Sequence, residues 1–141
     1  MKIKNRAGGL IMKKLRFIKQ RVKRGYADED VWDMNNWFIE TVVPMLKQLK
    51  QEKHGYPCDM TEKEWDDILD EMIFNFTELD EDTCSMQNEY WEKYYNSPDN
   101  EEKEELRKKW LKRAEEINKY QNDCKNKAFE LFSKHFWSLW D

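Results

Sequence analysis

The sequence predicts an all-α protein, a single-domain bundle of four or five helices with a long C-terminal helix. Apolar residues recur at helical spacing along most of the 141 residues, and the alternation of β-branched residues that is typical of strands is absent. Only 4 Gly and 3 Pro are present to form turns. Although 38% of the residues are charged, 7 Trp, 7 Phe and 6 Tyr supply enough apolar surface for a folded core.

We expect residues 12–141 to form one helical domain, because this length matches one ordinary hydrophobic core. Residues 12–16, Met-Lys-Lys-Leu-Arg, resemble a bacterial start, so residues 1–11 are expected to be a disordered or misannotated extension. The 3 widely spaced Cys predict neither a disulfide framework nor a zinc site. No apolar run is long enough for a membrane span or a signal peptide, so we expect a cytoplasmic protein.

Two helices are predicted in the first third of the chain. The first covers roughly residues 10–24 and ends at Gly25. Its apolar stripe, with Lys and Arg on the remaining faces, consists of Ile11, Leu15, Ile18 and Val22. The second begins near Asp28 or Asp30 and should kink at Pro44. The residues that it is expected to direct inward are Val31, Met34, Phe38, Val42, Met45 and Leu49.

The third helix has the strongest local signal in the chain. Thr61 and Glu64 have the spacing of a capping box, and Met60 and Trp65 flank it as a hydrophobic staple. The apolar stripe that follows consists of Trp65, Ile68, Leu69, Met72, Ile73 and Phe76. The acidic residues of this helix are therefore expected on its solvent side.

A short helix near residues 90–95 and a long C-terminal helix complete the prediction. Residues 101–139 contain no Gly or Pro, and one continuous helix would be roughly 55 to 60 Å long, which exceeds a compact domain of this size. This segment should therefore either break near residues 122–126 or project and find a partner. The chain from residue 101 onward also carries six Trp and Phe rings that need cover, and on both grounds we predict a homo-oligomer. The rings are those of Trp110, Phe129, Phe132, Phe136, Trp137 and Trp140.

Charge is strongly segregated along the chain. Residues 1–25 carry ten Lys or Arg and no acid, whereas residues 59–105 carry eighteen acids and three Lys. We expect the two blocks to pair with each other. One alternative is that the basic first helix binds nucleic-acid phosphates, which we do not favour, or an anionic lipid surface; no membrane partner is expected. Another is that the acidic segment acts as a DNA mimic.

The densest set of site-forming residues lies at the junction of the first two helices, where backbone N–H groups at a helix start can receive an anion. It combines basic side chains, a flexible Gly25, aromatic rings and carboxylates. The predicted ligand-binding residues, including two from a later loop, are Arg21, Lys23, Arg24, Tyr26, Asp28, Asp30, Trp32, His54 and Tyr56. The alternative is a helix–turn–helix corner in which Arg24 pairs with its own acids.

The sequence contains no recognisable catalytic site. Asp66, Asp67, Asp70 and Glu71 resemble one half of the carboxylate site of helical magnesium-dependent nucleotide pyrophosphatases, but no ExxD partner supplies the other half. His54 and His135 lack the spacing of a metal-ligand pair, and no phosphate loop or nucleophile elbow is present. We therefore expect no metal, no cofactor and no enzymatic activity, with a magnesium-dependent nucleotide hydrolase as the alternative.

Residues 24–32, Arg-Gly-Tyr-Ala-Asp-Glu-Asp-Val-Trp, resemble the opening motif of a family of small phage and prophage proteins. The resemblance continues in residues 54–57 (His-Gly-Tyr-Pro), in residues 65–73 and in the terminal residues 131–141. It implies a phage origin, and it implies no particular activity because none is established for the family.

Together these features predict a phage-encoded binding protein that acts in the host cytoplasm. Small phage proteins outside the virion often neutralise host defences, so the expected partner is a host defence protein or a small phosphate-bearing, nucleotide-type ligand. A structural or assembly role through the long C-terminal helix is a further alternative.

Overall fold

The computed structural model describes residues 6–140, with side chains from residue 11 onward. These residues form six α-helices and a short 3-10 helix, and no strand is found among them. The prediction of an all-α protein with a long C-terminal helix is therefore confirmed. The chain divides into two compact units, Met1–Glu40 and Thr41–Asp141, and each is described by itself. Within the described residues, no helix has both the length and the apolar character needed to cross a membrane.

The first unit contains α1 (Arg6–Arg24), α2 (Asp28–Trp32) and the start of α3 (Met34–Glu52). Residues 6–11 of the expected extension form the first turns of α1, and residues 1–5 lie outside the described residues. Gly25 ends α1 as predicted, with a φ of 86° that favours glycine because it has no Cβ. Its N–H donates to the Arg21 carbonyl oxygen at 2.8 Å.

The predicted second helix is in fact two helices, because Asp33 leaves the helical conformation with φ −139° and ψ 57°. This break gives α3 its own register. The buried residues of α3 are Ile39, Val43 and Leu46, spaced four and three residues apart. The inward orientation predicted for Val31, Met34 and Met45 is wrong, since all three side chains are exposed. α3 continues as a helix past Pro44 to Glu52.

The second unit contains the rest of α3, α4 (Glu62–Thr77), α5 (Trp91–Asn96) and α6 (Glu101–Lys134), followed by the 3-10 helix Phe136–Ser138. The capping box of α4 is confirmed: the Glu64 N–H donates to Thr61 Oγ1 at 3.3 Å, and the Thr61 N–H donates to Glu64 Oε2 at 2.7 Å. The largest fully buried side chains among the described residues come from the predicted stripe of this helix. They are Trp65, Leu69, Met72 and Phe76.

α6 is one continuous helix of 34 residues, about 50 Å long at the standard rise per residue. It runs without interruption through residues 122–126, so the first of the two alternatives, a break there, does not occur. Its second half packs along α4, where Phe129 and Phe132 meet the Phe76 ring edge-on at 5.1 and 5.9 Å between centroids. Its first half packs on α5, where Trp110 stacks on Tyr94 at 5.7 Å.

Candidate functional site

The junction of α1 and α2, residues 16–32, is held together by ion pairs, and we call it the α1–α2 corner. The Arg21 guanidinium donates to both carboxylate oxygens of Asp30, at 2.6 and 3.1 Å. Arg24 and Arg16 both donate to Asp28, the latter at 2.7 Å. The guanidinium groups that were predicted to bind a ligand are thus bonded to carboxylates of the same corner.

The backbone N–H groups at the start of α2 are also occupied. The Ala27 N–H donates to Asp30 Oδ2 at 2.7 Å, and the Asp28 N–H donates to Gln20 Oε1 at 2.9 Å. A phosphate at this position would have to displace both acceptors. The pairing of Arg24 with Asp28 is the arrangement expected for a structural helix–turn–helix corner.

The carboxyl groups of the corner are strong acids because their charged forms are well bonded. Hydrogen bonds from Arg24, and then from Gln20 and Arg16, lower the pKa of Asp28 to about 2. Hydrogen bonds from Arg21 and the Ala27 N–H lower the pKa of Asp30. Both carboxylates remain charged, and the corner remains paired, throughout the neutral pH range.

The remaining predicted residues of the corner have separate surroundings. The Arg24 guanidinium lies over the Tyr26 ring, with its Cζ atom 4.5 Å from the centroid of the ring. Trp32 is largely exposed and meets Phe17 edge-on at 6.0 Å. Lys23 is exposed and makes no ion pair with any described residue.

His54 and Tyr56 lie in the second unit rather than in the corner, so the nine predicted site residues are divided between the two units. They line a pocket of about 510 Å³ that is large enough for a small organic ligand. We call it the loop pocket. Its walls come from the loop at residues 54–58, from α4 and from the end of the chain. The lining residues are His54, Gly55, Tyr56, Pro57, Cys58, Trp65, Ser138 and Trp140.

The α4 carboxylates considered for magnesium are mostly paired with lysines. Lys53 lies 2.9 Å from Asp66, and Lys63 lies 2.5 Å from Asp67. Asp70 accepts a hydrogen bond from Lys50 at 2.6 Å. Within the described part of the chain, no group of three or more His, Cys, Asp or Glu side chains is placed to hold a metal ion. The geometry of α4 therefore gives no support to the magnesium-dependent hydrolase.

Glu78, just after α4, is a buried carboxylate that the sequence did not reveal. Its Oε2 atom accepts hydrogen bonds from the Ser85 N–H at 2.9 Å, the Ser85 hydroxyl at 2.6 Å and the Tyr120 hydroxyl at 2.9 Å. Cys84 Sγ lies 3.8 Å away. We call these four residues the Glu78 cluster. Nothing in the sequence pattern marks Glu78, because an acid in an acidic segment is ordinarily solvent-exposed.

The Glu78 cluster joins the loop after α4 to α6 and does not form a nucleophilic site. Burial raises the pKa of the Cys84 thiol, so it stays protonated and unreactive near neutral pH. The hydrogen bond with Ser85 lowers the pKa of Tyr120. Burial and the Glu78 carboxylate outweigh it and raise the pKa of Tyr120 to about 12. The same loop is held on α6 by Gln121, whose side-chain amide donates to the Glu78 carbonyl oxygen at 3.1 Å.

Trp137 and Trp140, the two most exposed large apolar side chains described in the second unit, lie at one groove. This groove, of about 530 Å³, runs between the second half of α3 and the end of the chain. Its lining residues within the described chain are all apolar, and it shares Trp140 with the loop pocket. We call its exposed residues, together with Tyr56 of the loop pocket, the aromatic surface. They are Met45, Tyr56, Phe136, Trp137 and Trp140.

The sequence identified part of this surface and missed the rest. Phe136, Trp137 and Trp140 stand out as rings near the end of the chain that need cover. Met45 was expected in the core, and only the separate register of α3 places it on the groove.

No protein-family model, curated protein or solved structure matches the chain. A function for the candidate site must therefore be argued from its geometry.

Proposed function

We propose that this chain is a non-enzymatic binding protein, and that its partner is another protein bound through the aromatic surface. The observation that carries the proposal is the exposure of Trp137 and Trp140, which are 86% and 74% accessible, beside an apolar groove. Exposed Trp and Tyr side chains around an apolar depression are typical of residues that dominate protein interfaces.

The shape and chemistry of the groove favour an apolar protein segment over a phosphate-bearing ligand. Among the described residues, no charged side chain lines the groove to orient a small molecule, and no Lys or Arg lines the loop pocket. The arginines of the α1–α2 corner are bonded to its own acids. An amphipathic helix that inserts apolar side chains at successive turns would match a groove of this kind.

The proposal also includes the source and setting of the interaction. The resemblance to small phage proteins supports a partner in the bacterial host cytoplasm, and a host defence protein fits that setting. Self-association through the same surface is the competing possibility, since exposed rings can also be covered by a second copy.

Affinity capture with matched tryptophan variants tests the proposal. The bait is the full chain, the variant is Trp137→Ser with Trp140→Ser, and the control is Trp32→Ser. Trp32 is a suitable control because it is 76% exposed but lies in the first unit. We expect a protein partner from bacterial lysate to be lost with the double variant and retained with the control.

Two results would contradict the proposal. One is a partner set that is the same for the parent and the double variant. The other is a bound nucleotide, detected by mass spectrometry of the purified chain, that disappears with Arg24→Ala. Light scattering of the same proteins separates self-association, because a dimer that the double variant abolishes would place a second copy on the aromatic surface.

A further inference from the structure

The apolar stripe of α1 is exposed. Ile11, Leu15, Ile18 and Val22 follow one another by four, three and four residues, so they share about 60° of the helix circumference at 3.6 residues per turn. Each of these side chains is between 53% and 84% exposed. Aliphatic side chains arranged this regularly and left in water form a surface that is suited to an apolar partner.

The opposite side of α1 holds the helix in place. Phe17 and Gln20 are its half-buried residues, and Gln20 exchanges two hydrogen bonds with Asp28, at 2.7 and 2.9 Å. Arg21 and Arg24 pair with α2 from the same side. The corner is therefore formed without the apolar stripe, which is available for another contact.

Unpaired lysines flank the stripe on both edges. Lys14 lies on one edge, while Lys19 and Lys23 lie on the other, by the same helical spacing. None of the three makes an ion pair with a described residue, and α1 contains no acidic residue. The surface thus combines an aliphatic centre with positively charged borders, and its complement is an apolar surface bordered by anions.

We propose that α1 lies on an anionic lipid surface, with the stripe between the lipid headgroups and the lysines on their phosphates. This geometry is typical of helices that bind in the membrane interface without crossing it. The proposal departs from the expectation of no membrane partner, because the exposure of the stripe was not known from the sequence. It is independent of the protein partner proposed for the aromatic surface.

Other occupants fit the surface less well. Nucleic-acid phosphates would reward the lysines, but they offer nothing to four adjacent aliphatic side chains. A second copy of α1 would cover the stripe but would bring its own lysines beside these. Of these three occupants, a lipid surface alone satisfies both the aliphatic centre and the positive borders.

Vesicle sedimentation with the full chain tests the proposal. We expect the chain to sediment with phosphatidylcholine vesicles that contain phosphatidylglycerol and to remain in solution with phosphatidylcholine alone. The variant Leu15→Gln with Ile18→Gln should lower the partition coefficient at least about tenfold, because it removes two aliphatic side chains that the lipid surface would bury. The variant Lys14→Gln with Lys19→Gln should lower it by a similar factor through the lost attraction to the headgroups.

The matched control is Val31→Gln with Met34→Gln, which removes exposed apolar side chains of the first unit outside α1. This variant should bind vesicles like the parent. Circular dichroism of every variant confirms that it is folded, which is expected because all the substituted side chains are exposed.

Four outcomes would overturn the proposal. The first is no sedimentation with the anionic vesicles. The second is vesicle binding that the Leu15→Gln, Ile18→Gln variant retains. The third is binding only to duplex DNA that this variant retains and the lysine variant loses, which would assign α1 to nucleic acid. The fourth is a dimer in light scattering that the Leu15→Gln, Ile18→Gln variant dissociates, which would place a second copy on the stripe.

Discussion

Removing the Glu78 carboxylate should destabilise the second unit more than any other single polar change. Glu78→Ala leaves the Ser85 N–H, the Ser85 hydroxyl and the Tyr120 hydroxyl without their shared acceptor. All three lie within 2.9 Å of Oε2, and the residue is only 4% exposed, so water replaces the lost acceptor poorly.

The expected loss follows from the strength of these hydrogen bonds. A hydrogen bond to a charged group contributes about 1.5 to 3 kcal/mol, and the contributions are not additive when they share one acceptor. We therefore expect Glu78→Ala to lower the free energy of unfolding by about 3 to 5 kcal/mol, a large part of the stability of a typical domain. Tyr120→Phe removes a single donor and should cost about 1 kcal/mol.

Urea denaturation followed by tryptophan fluorescence measures both losses. The midpoint should fall for Glu78→Ala while the slope stays constant, and the combined Glu78→Ala, Tyr120→Phe variant should lose less than the sum of the two single changes. A loss below about 0.5 kcal/mol for Glu78→Ala, or strict additivity in the double variant, would refute the cluster as described.

The pH dependence gives a second measurement of the same cluster. Burial alone raises the pKa of Glu78, but hydrogen bonds from Ser85, Tyr120 and Cys84 outweigh it and hold the pKa below the ordinary value of 4.5. The stabilisation is therefore complete above pH 4.5 and is lost as the pH falls toward the lower pKa of the folded state. Glu78→Gln should flatten this part of the stability profile, and an unchanged profile would contradict the assignment.

Three further changes test the fold of the second unit by denaturation. Thr61→Ala should cost about 1 kcal/mol because it removes the acceptor for the Glu64 N–H, and an unchanged midpoint would show that the capping box does not contribute. Leu69→Ala should cost about 2 to 5 kcal/mol because Leu69 is fully buried, whereas a cost below 1 kcal/mol would place it outside the core. Burial, and then Lys134, lower the pKa of His135 below its ordinary 6.5, so stability should fall as the pH drops below 6.5, and His135→Gln should remove that fall.

Local patterns in the sequence were sufficient to predict most of the helices. Gly25 ends α1 because the chain needs a positive φ there, and Thr61 starts α4 because its side chain accepts a backbone N–H within the same turn. The predicted stripe of α4 faces the core, with Trp65, Leu69, Met72 and Phe76 buried, since its apolar residues repeat at the helical period over about three turns. Each of these features depends on residues within a few positions of one another.

Features that depend on distant residues were decided only by the tertiary structure. The break at Asp33 changed the buried face of α3, and Met45 moved from the expected core to the aromatic surface. The buried Glu78 carboxylate accepts a hydrogen bond from Tyr120, which lies forty-two residues away. Neither outcome is visible in a local pattern, because both depend on which side chains the fold brings together.

The candidate sites illustrate the same division. Composition and spacing predict which residue types are available: an arginine- and acid-rich corner, an aliphatic stripe with lysines on α1, and aromatic rings at the end of the chain. The tertiary structure decided which of these are free. It paired the corner arginines with Asp28 and Asp30 and left the α1 stripe and the terminal tryptophans exposed. A side chain is available only when no partner packs over it, and helical periodicity specifies the face of a helix but not what covers that face.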